Sequence, residues 1–370
     1  MAATSNVVTR HSIGGSSIIE YKFTNDIQYE KGDFKYHNEE GEYSSTPEHP
    51  SEKISDQKSL NLPAENLSSL KNEKVLRTVK LGEDGRVRIE NTDKFPYCIH
   101  AEISMVLPDD ELPKGQISLL RSGGSGALIG PHHLITCAHN VYSVVHQYWA
   151  ENIQVTPGRN DSYAPFGKAQ VTKIYIFEDW THSGNERFDI ALLILDRSIG
   201  RFTGWGGLCF SNDSSLSKAT VHITGYPGDL GSPSGFGRMW SMDHKIKTVK
   251  DETFEYEIDT APGQSGSAIW SKKWNNPMVL GVHTGGGKYV EMNFGVRISQ
   301  RKFTDLFIPF ITNTYTKKSV VNLIENLSLS SGVPEIAFGK AKWEKYFGDI
   351  GTEPPLPPNI EQILNSKCIF

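Results

Sequence analysis

Thr260–Trp270 reads TAPGQSGSAIW, and this stretch determines how the rest of the chain is interpreted. Ser265 lies between Gly263 and Gly266 and is followed directly by an apolar run. Glycine permits positive φ angles and lets a ligand approach the backbone closely. A serine on such a turn can present its hydroxyl outward beside converging N–H groups, which is what acyl transfer requires. Taken alone, the pattern is more typical of a Gly/Ser-rich hairpin turn, so the rest of the chain must decide.

The composition is that of a globular chain rich in strands and turns. The chain has 370 residues, of which 37% are hydrophobic and 22% are charged, so it can bury a large core. Its 34 glycines and 19 prolines favour strands and turns over a helical bundle. The net charge is −5 without a basic block, and no stretch is long and apolar enough to span a membrane. We therefore expect a monomer with no nucleic-acid partner, no membrane partner and no cofactor.

The four cysteines, Cys98, Cys137, Cys209 and Cys368, form no C-x-x-C pair. We therefore expect no zinc site or other metal site. A disulfide between Cys98 and either Cys137 or Cys209 is compatible with the sequence, which does not decide between the pairings. The N-terminal residues lack the apolar core of a secretory signal peptide.

The character of the chain changes near Val79. Residues 1–78 are polar and interrupted by prolines, with only a hint of a strand at Ser17–Tyr21, and we expect a weakly ordered leader or pro-segment. After it, short apolar runs alternate with turn signals, about six in residues 79–200 and about six in residues 201–312. This pattern predicts an all-β fold of two antiparallel six-stranded β-barrels.

Individual strands can be proposed from the apolar runs. In the first set they are Ile99–Val106, Gly126–Gly130, His133–Cys137, Ile153–Thr156, Ala169–Phe177 and Asp189–Leu195. In the second set they are Ala219–Gly225, Gly237–Met242, Thr253–Asp259, Ser267–Trp270, Met278–His283, Tyr289–Glu291 and Asn293–Ile298, and residues 204–212 separate the two sets. Apolar residues at helical spacing predict a helix over Ser299–Ile311 that closes the core. Residues 313–370 are interpreted as a C-terminal extension.

Two further stretches carry side chains with acid–base chemistry. His139 follows an apolar strand in LITCAHN and begins a short helix that we expect over residues 140–146. With an ordinary pKa of about 6.5, a histidine can take and return a proton near neutral pH. Asp189 directly precedes an apolar run, and a carboxylate that enters a core needs a partner. Each residue alone also fits a structural role, as a hydrogen-bonded histidine or an aspartate at a strand end in solvent.

The order His139, Asp189, Ser265 makes the three signals stronger together. This is the order of the chymotrypsin-type triad, whereas subtilisins run Asp, His, Ser and α/β-hydrolases run Ser, Asp, His. The histidine and aspartate fall in the first set of strands and the serine in the second, which predicts a site in the cleft between the barrels. Asp196 is the competing aspartate, but it ends its strand and we expect it at the surface. The absence of a G-x-S-x-G elbow argues against a lipase or esterase.

Longer motifs resemble one protein family. TCAHN, DIALLIL and GQSGS are similar to the three signature segments of chymotrypsin-fold serine proteases. More narrowly, GYPGD (225–229), MWS (239–241), DTAPGQSGS (259–267) and GVHTGG (281–286) resemble the glutamyl endopeptidase branch. The resemblance covers about residues 79–310. It implies the two-barrel fold, with the active site in the cleft, and hydrolysis of peptide bonds in protein or peptide substrates after Glu, sometimes after Asp.

The resemblance also implies the catalytic roles. Ser265 would attack the scissile carbonyl, and His139 would take the proton and return it to the leaving amine. Asp189 would hold the imidazole tautomer and stabilise the imidazolium. The backbone N–H groups of Gly263 and Ser265 would form the oxyanion hole.

Substrate-binding positions carry over in the same way. Thr260 and His283 would donate hydrogen bonds to the substrate carboxylate. These bonds would offset the cost of removing the carboxylate from water. Thr284, Gly285 and Gly286 would offer an edge strand to the substrate backbone. Thr284 stands where family members often have a bulkier aromatic residue, which affects the subsites near the cleft.

The family's mature N-terminus corresponds to a position near Val79. The resemblance thus implies a zymogen from which residues 1–78 are removed, and in this family the new α-amine helps to neutralise the substrate carboxylate. Family members are generally exported, so secretion is expected although no signal peptide is visible. The alternative function is a catalytically silent binding module on a protease scaffold, because fold does not dictate function.

Overall fold

The computed structural model describes residues 6–23, 36–39, 42–45, 60–61, 83–110, 112–114, 116–231, 237–273, 276–286 and 292–311. The expectations for Val79, for the strand Tyr289–Glu291 and for the extension 313–370 lie outside these residues. Within the described ranges, no helix has the length and apolarity needed to cross a membrane.

Strands dominate the structure. In chain order they are β1 (Val7–Ile13), β2 (Ser16–Lys22), β3 (Tyr36–Glu39), β4 (Glu42–Ser45), β5 (Leu60–Asn61), β6 (Val87–Ile89), β7 (His100–Pro108), β8 (Leu119–Leu128), β9 (His133–Thr136), β10 (Tyr142–Ser143), β11 (Tyr148–Trp149), β12 (Glu151–Pro157), β13 (Tyr163–Ala164), β14 (Ala169–Phe177), β15 (Ala191–Leu195), β16 (Gly207–Phe210), β17 (Thr220–Gly225), β18 (Met239–Val249), β19 (Thr253–Tyr256), β20 (Ala268–Lys273), β21 (Asn276–Gly286) and β22 (Asn293–Arg297).

The helices are short. They are α1 (Glu178–Ser183), α2 (Gly200–Thr203), α3 (Asp213–Leu216), and a C-terminal helix in which α4 (Gln300–Lys302) continues through a π-helical turn (Phe303–Phe307) into α5 (Ile308–Ile311). Single 3-10 turns occur at Tyr97–Ile99, Ala138–Asn140 and Glu186–Phe188.

The strands close into two barrels. The first is a ring in the order β14, β12, β7, β8, β9 and β15, and it closes because β14 pairs with β12 near its start and with β15 along the rest of its length. The second is a ring in the order β17, β18, β19, β22, β21 and β20, closed by the pairing of β20 with β17. The predicted fold class, two six-stranded antiparallel barrels with a closing helix, is confirmed.

The predicted strands agree best where the apolar run is continuous. The predicted strand Ala169–Phe177 coincides with β14. By contrast, β8 begins well before the predicted Gly126, because its first half contains arginine, serine and glycine and carries no clear apolar pattern. β16 lies within residues 204–212, which the sequence assigns to the boundary between the two sets of strands. It pairs in parallel with β21 and is not one of the ring strands.

The helix expected over residues 140–146 is not formed. Only the 3-10 turn Ala138–Asn140 is helical, and the chain then folds back as the small hairpin of β10 and β11. Tyr142 and Trp149 pair across this hairpin with ring centroids 4.8 Å apart. Aromatic residues favour such cross-strand pairs, and here they outweigh the helical pattern.

The leader residues contain an ordered hairpin. β1 and β2 pair with each other, and β2 adds to the outer edge of β14. Ile18 and Ile19 are buried in the main core. Weak order was the expectation for all of residues 1–78, and the hairpin differs because its stability comes from a sheet partner far along the chain. Further along the leader, β4 pairs with β16 and β5 pairs with β13.

The three cysteines in the described residues are all free thiols. Cys98 Sγ donates a hydrogen bond to the carbonyl of Thr203 at 3.0 Å. The disulfide that the sequence left open, between Cys98 and either Cys137 or Cys209, is therefore not formed. Cys368 lies outside the described part of the chain.

The C-terminal helix ties the two barrels together through a buried ammonium group. Lys302 is fully buried, forms an ion pair with Glu252 in the turn after β18, and packs over the ring of Phe188 at 5.0 Å. Burial lowers the pKa of Lys302 to about 8, although Glu252 opposes the effect. The lysine is thus charged at neutral pH and depends on Glu252.

Glu252→Gln is expected to lower the free energy of unfolding by about 3 kcal/mol at pH 7, because it leaves the Lys302 ammonium buried without its counter-charge. The matched control is Glu257→Gln, which removes the exposed pair between Lys247 and Glu257 and should cost less than about 1 kcal/mol. Urea unfolding of the two variants measures the difference. Equal effects would contradict the assigned role of Lys302.

Candidate active site

His139 and Asp189 form a close pair at one end of the first barrel. β9 and β15 are antiparallel neighbours, with Thr136 opposite Ala191. His139, which follows β9, therefore lies close to Asp189, which precedes β15. His139 Nδ1 donates to Asp189 Oδ2 at 2.6 Å, and the backbone N–H of His139 donates to Oδ1 at 2.9 Å. Both carboxylate oxygens are engaged by the same histidine, which fixes the orientation of its ring.

The electrostatics of this pair favour a basic histidine. Burial alone would lower the pKa of His139, but the adjacent Asp189 carboxylate outweighs it and the pKa is raised well above its ordinary value. Asp196, the competing aspartate, lies at the other end of β15, where its Oδ1 accepts from the Gln170 N–H at 2.9 Å in an exposed position. The structure thus brings Asp189, and not Asp196, to His139.

Ser265 lies on a tight loop that hydrogen bonds fix to both barrels. Its carbonyl accepts from the Ser125 N–H at 2.8 Å and from Asn140 Nδ2 at 2.9 Å, and both donors belong to the first barrel. In the second barrel, the Gly266 N–H donates to the carbonyl of His283 at 2.8 Å. These bonds hold the Ser265 loop between the residue after His139 and the strand that carries His283.

Glycine is required after the serine. Gly266 has φ +83°, and a Cβ at this position would overlap Thr136 Oγ1 and the carbonyl oxygen of Ser125. The loop therefore approaches the first barrel as closely as a backbone without a side chain allows. This close approach is the physical reason for the GQSGS pattern.

The peptide group that joins Gly263 to Gln264 is fixed from the first barrel. Gly263 has φ +95°, and its carbonyl accepts from Ser125 Oγ at 2.7 Å. Ser125 Oγ in turn accepts from the Tyr226 N–H at 2.9 Å. In the described residues, the N–H groups of Gly263 and Ser265 donate to no protein acceptor. Two backbone donors on one loop are thus available for an anionic oxygen.

His283 is a buried, neutral histidine beside this loop. Its Nδ1 lies 2.8 Å from the hydroxyl of Tyr256, and its backbone N–H donates to Ser267 at 2.9 Å. Burial lowers the pKa of His283 to about 3, with a smaller contribution from His139. Burial also raises the pKa of Tyr256 well above its ordinary value, so the phenol keeps its proton. A phenol that donates to Nδ1 places the ring proton of His283 on Nε2.

Thr260 and the strand after His283 provide the other expected contacts. Thr260 is fully buried, and its Oγ1 has no hydrogen-bond partner among the described residues. A buried hydroxyl without a partner is costly and indicates a place where a ligand supplies one. Beyond Val282, β21 pairs with β22 but no longer with β20. Thr284, Gly285 and Gly286 therefore have a free edge within the described sheet.

The comparisons with known proteins agree with this geometry. Residues 124–282 match the family model described as a trypsin-like peptidase domain. A glutamyl endopeptidase of Bacillus licheniformis is 31% identical over 235 residues, which cover 61% of this chain and 67% of that protein. This chain belongs to the glutamyl endopeptidase-like serine proteases of the trypsin-like family. It is a serine endopeptidase with a chymotrypsin-like fold.

Two further proteins are similar to this chain, and the first of them supports the family and the fold. The solved structure of a Glu endopeptidase in complex with MPD aligns with a TM-score of 0.51 and 29% identity, covering 60% of this chain and 94% of that one. A Bacillus subtilis protein named as an extracellular metalloprotease is 31% identical over 227 residues, covering 61% of this chain and 68% of that protein.

Cys137 is a neighbour of the protease site that sequence reasoning missed. Its Sγ lies 3.4 Å from His139 Nε2, while Ser265 Oγ forms no hydrogen bond within the described residues. Burial raises the pKa of the Cys137 thiol, which disfavours the thiolate at neutral pH. Catalytic hydrogen bonds are often long in unliganded enzymes and tighten when substrate binds. Cys137 thus contacts the ring nitrogen of His139 that Asp189 does not engage.

A second missed feature is the segment that precedes the first barrel. Arg86 is buried and bridges Asp84 and Asp229. Its Nη1 also donates to Gln264 Oε1 at 3.2 Å, directly before the serine. Only the three-dimensional structure places residue 86 beside residue 264, because the two lie far apart in the chain.

Asn140→Asp is expected to lower kcat/KM about 100-fold. The change replaces the donor that holds the Ser265 carbonyl by an acceptor, which repels it and displaces the loop, and small displacements of reacting groups have effects of about this size. The matched control is Asn152→Asp at an exposed position of β12, which should stay within about twofold of the wild type. Hydrolysis of a chromogenic peptide measures both variants. Wild-type rates in Asn140→Asp would exclude the positioning role.

Proposed function

We propose that this enzyme cleaves peptide bonds after Glu, with Asp as a secondary choice, through a triad of Ser265, His139 and Asp189. The observation that carries the proposal is the buried His139–Asp189 pair placed against a loop that presents a serine and two unengaged N–H groups. The three residues come from distant parts of the chain, and Asn140, the residue after His139, donates to the Ser265 carbonyl at 2.9 Å. An accidental cluster would not be expected to include the donors that an oxyanion needs as well.

In the proposed mechanism, Ser265 Oγ attacks the scissile carbonyl while His139 Nε2 accepts its proton. Asp189 keeps the ring proton on Nδ1 and stabilises the imidazolium, and the N–H groups of Gly263 and Ser265 bind the tetrahedral oxyanion. His139 then gives the proton to the leaving amine, which leaves an acyl-enzyme on Ser265. A water activated by the same histidine hydrolyses this ester and restores the serine.

The preference for Glu follows from the donors around the proposed pocket. Thr260 offers a buried hydroxyl without a protein partner. His283 is neutral and, with Tyr256 donating to Nδ1, would donate from Nε2 to a carboxylate. Hydrogen bonds to a charged acceptor are about twice as strong as neutral ones, so two such donors can offset part of the desolvation of a glutamate side chain. The free edge at Thr284–Gly286 would pair with the substrate backbone.

The direct test is labelling by a fluorophosphonate probe combined with cleavage of a peptide library. Labelling of the wild type but not of Ser265→Ala, with cuts mainly after Glu, is the expected result. Labelling without preference for Glu would reject the pocket assignment and keep the triad. Absence of labelling in processed protein would favour the alternative of a silent binding module.

One further alternative has a specific observation behind it, because one relative is named as a metalloprotease. Among the described residues, Cys137, His139 and Asp189 hold ligand atoms within 4.8 Å of one another. Asp189 is engaged with His139 Nδ1, so a metal would find only two protein ligands unless this bond broke, whereas catalytic zinc sites use three. Metal-dependent hydrolysis would be rejected if the enzyme kept full activity after dialysis against EDTA and lost its activity after treatment with a fluorophosphonate.

The kcat/KM profile is expected to rise on its acidic side above pH 6.5. His139 must be neutral to accept a proton, and Asp189 raises its pKa, so the active form appears only at higher pH. Asp189→Asn should move this limb to lower pH and reduce kcat about 10,000-fold. A fluorogenic peptide assayed from pH 4 to pH 9 measures both effects. An unchanged limb in Asp189→Asn would contradict the assignment.

Tyr256→Phe is expected to narrow the preference for Glu over Gln about tenfold. Without the phenol, Nδ1 of His283 can keep the proton, and Nε2 then becomes an acceptor that repels a carboxylate but accepts from an amide. Values of kcat/KM for paired peptides that differ only in Glu or Gln before the cut measure this ratio. Tyr163→Phe, on an exposed tyrosine, is the control and should leave the ratio unchanged.

A further inference from the structure

The first barrel has an outer edge that a leader segment occupies. β2 runs antiparallel to β14, with backbone pairing from Lys22 opposite Lys173 to Ile18 opposite Phe177. β1 then covers the far edge of β2 over its whole length. The second half of β14, from Lys173 to Phe177, therefore has β2 as its neighbour on this edge only while residues 6–23 are in place. Their removal would expose a row of unpaired backbone groups on the barrel.

The side chains of β2 belong to the main core. Ile18 is fully buried, and Ile19 and Tyr21 are nearly so. Tyr21 stacks on Trp149 of the first barrel with ring centroids 4.5 Å apart. On β1, in contrast, Val8 is 56% exposed. One strand of the hairpin thus contributes core residues, and the other forms the surface.

The turn of the hairpin is fixed to the C-terminal helix. Ser16 Oγ donates to Asp305 Oδ2 at 2.7 Å and accepts from Arg301 Nε at 2.7 Å. Gly14 has φ +56°, and a Cβ there would overlap the Asp305 carboxylate. These buried polar groups would lose their partners if the hairpin left, which costs free energy for each unsatisfied group.

Two ion pairs add to the contacts of the hairpin. Arg10 of β1 pairs with Glu178 at the start of α1, and Glu20 of β2 lies 3.4 Å from Lys173 of β14. The exposed pair of Arg10 and Glu178 contributes little to stability, whereas Glu20 and Lys173 are largely buried. They do agree with the register of the strands, since a slip by one residue would turn Glu20 away from Lys173.

We propose that residues 6–23 stay in the active protease as a structural hairpin, held without a covalent link once the leader is cut. The proposal uses the processing near Val79 put forward above, and it does not depend on the preference for Glu. It replaces the expectation that all of residues 1–78 leave on activation. The partner of the β14 edge is thus a segment of the same chain, and the mature enzyme is a complex of two chains.

The test uses the full chain with a recognition sequence for a site-specific protease inserted between Gln28 and Tyr29. Ser265→Ala is included so that self-cleavage does not obscure the result. After the cut, native mass spectrometry should show one complex of both pieces, and denaturing mass spectrometry should show them separately. A folded body without the N-terminal piece would overturn the proposal and identify the hairpin as a removable pro-segment.

Two variants of the same cleavable chain separate core contacts from surface contacts. Ile18→Asp should release the N-terminal piece after the cut and lower Tm by about 10 °C, as expected for a charge placed in a core. Val8→Asp, on the exposed strand, should keep the complex and change Tm by less than about 2 °C. If Ile18→Asp does not fold, Ser16→Ala takes its place, with partial release expected. Retention that is equal in all variants would contradict the proposed role of β2.

Because the readout is mass and not activity, this result is independent of the proposed function. A retained hairpin in an enzyme that cuts after other residues would support this inference and reject the glutamate pocket. A lost hairpin in an enzyme that cuts after Glu would reject this inference and support the glutamate pocket.

Discussion

The site depends on the hydrogen bonds that hold the carbonyl of Ser265 against the first barrel. The serine belongs to the second barrel and the histidine to the first, so their distance is set by the contact between the two barrels. Ser125 and Asn140 both donate to this carbonyl, and Gly266 removes the side chain that would keep the surfaces apart. A loop fixed in this way needs little reorganisation when substrate binds, which is the condition under which electrostatic stabilisation is effective.

In the proposed function, the same loop links catalysis to the choice of substrate. The Gly266 N–H donates to the His283 carbonyl, and the His283 N–H donates to the Ser267 carbonyl. Two hydrogen bonds thus join the Ser265 loop to β21. Movement of His283 would therefore move the serine. Tyr256, which burial keeps protonated, lies 2.8 Å from His283 Nδ1 and helps to define the proton position of the imidazole. In the proposed function, a buried phenol thus sets the polarity of the pocket from a position that does not contact the substrate.

The sequence alone predicts the fold and the candidate catalytic residues better than it predicts the residues that hold them in place. Long apolar runs gave the strands, and the order of His139, Asp189 and Ser265 indicated a triad because each residue adjoins such a run. Asn140 was seen only as part of a motif, since its bond to Ser265 joins residues 125 positions apart. Nothing local marks Tyr256 or Arg86 as parts of a site. The hairpin in residues 6–23 was missed because its pattern is weak and its partner, β14, follows more than a hundred residues later.

These anchors bear on what processing near Val79 would change. The hairpin is fixed on the first barrel, while the Gly85 N–H donates to Asp259 Oδ2 at 2.8 Å on the second. Val79 lies six positions before Gly85, and a chain of that length spans at most roughly 20 Å, so in the proposed function a new α-amine at Val79 would lie within this distance of Gly85, which is bonded to the residue before Thr260. A cut between the two anchors breaks neither of them. Activation would then change the connectivity of the chain next to the pocket and would leave both barrels intact.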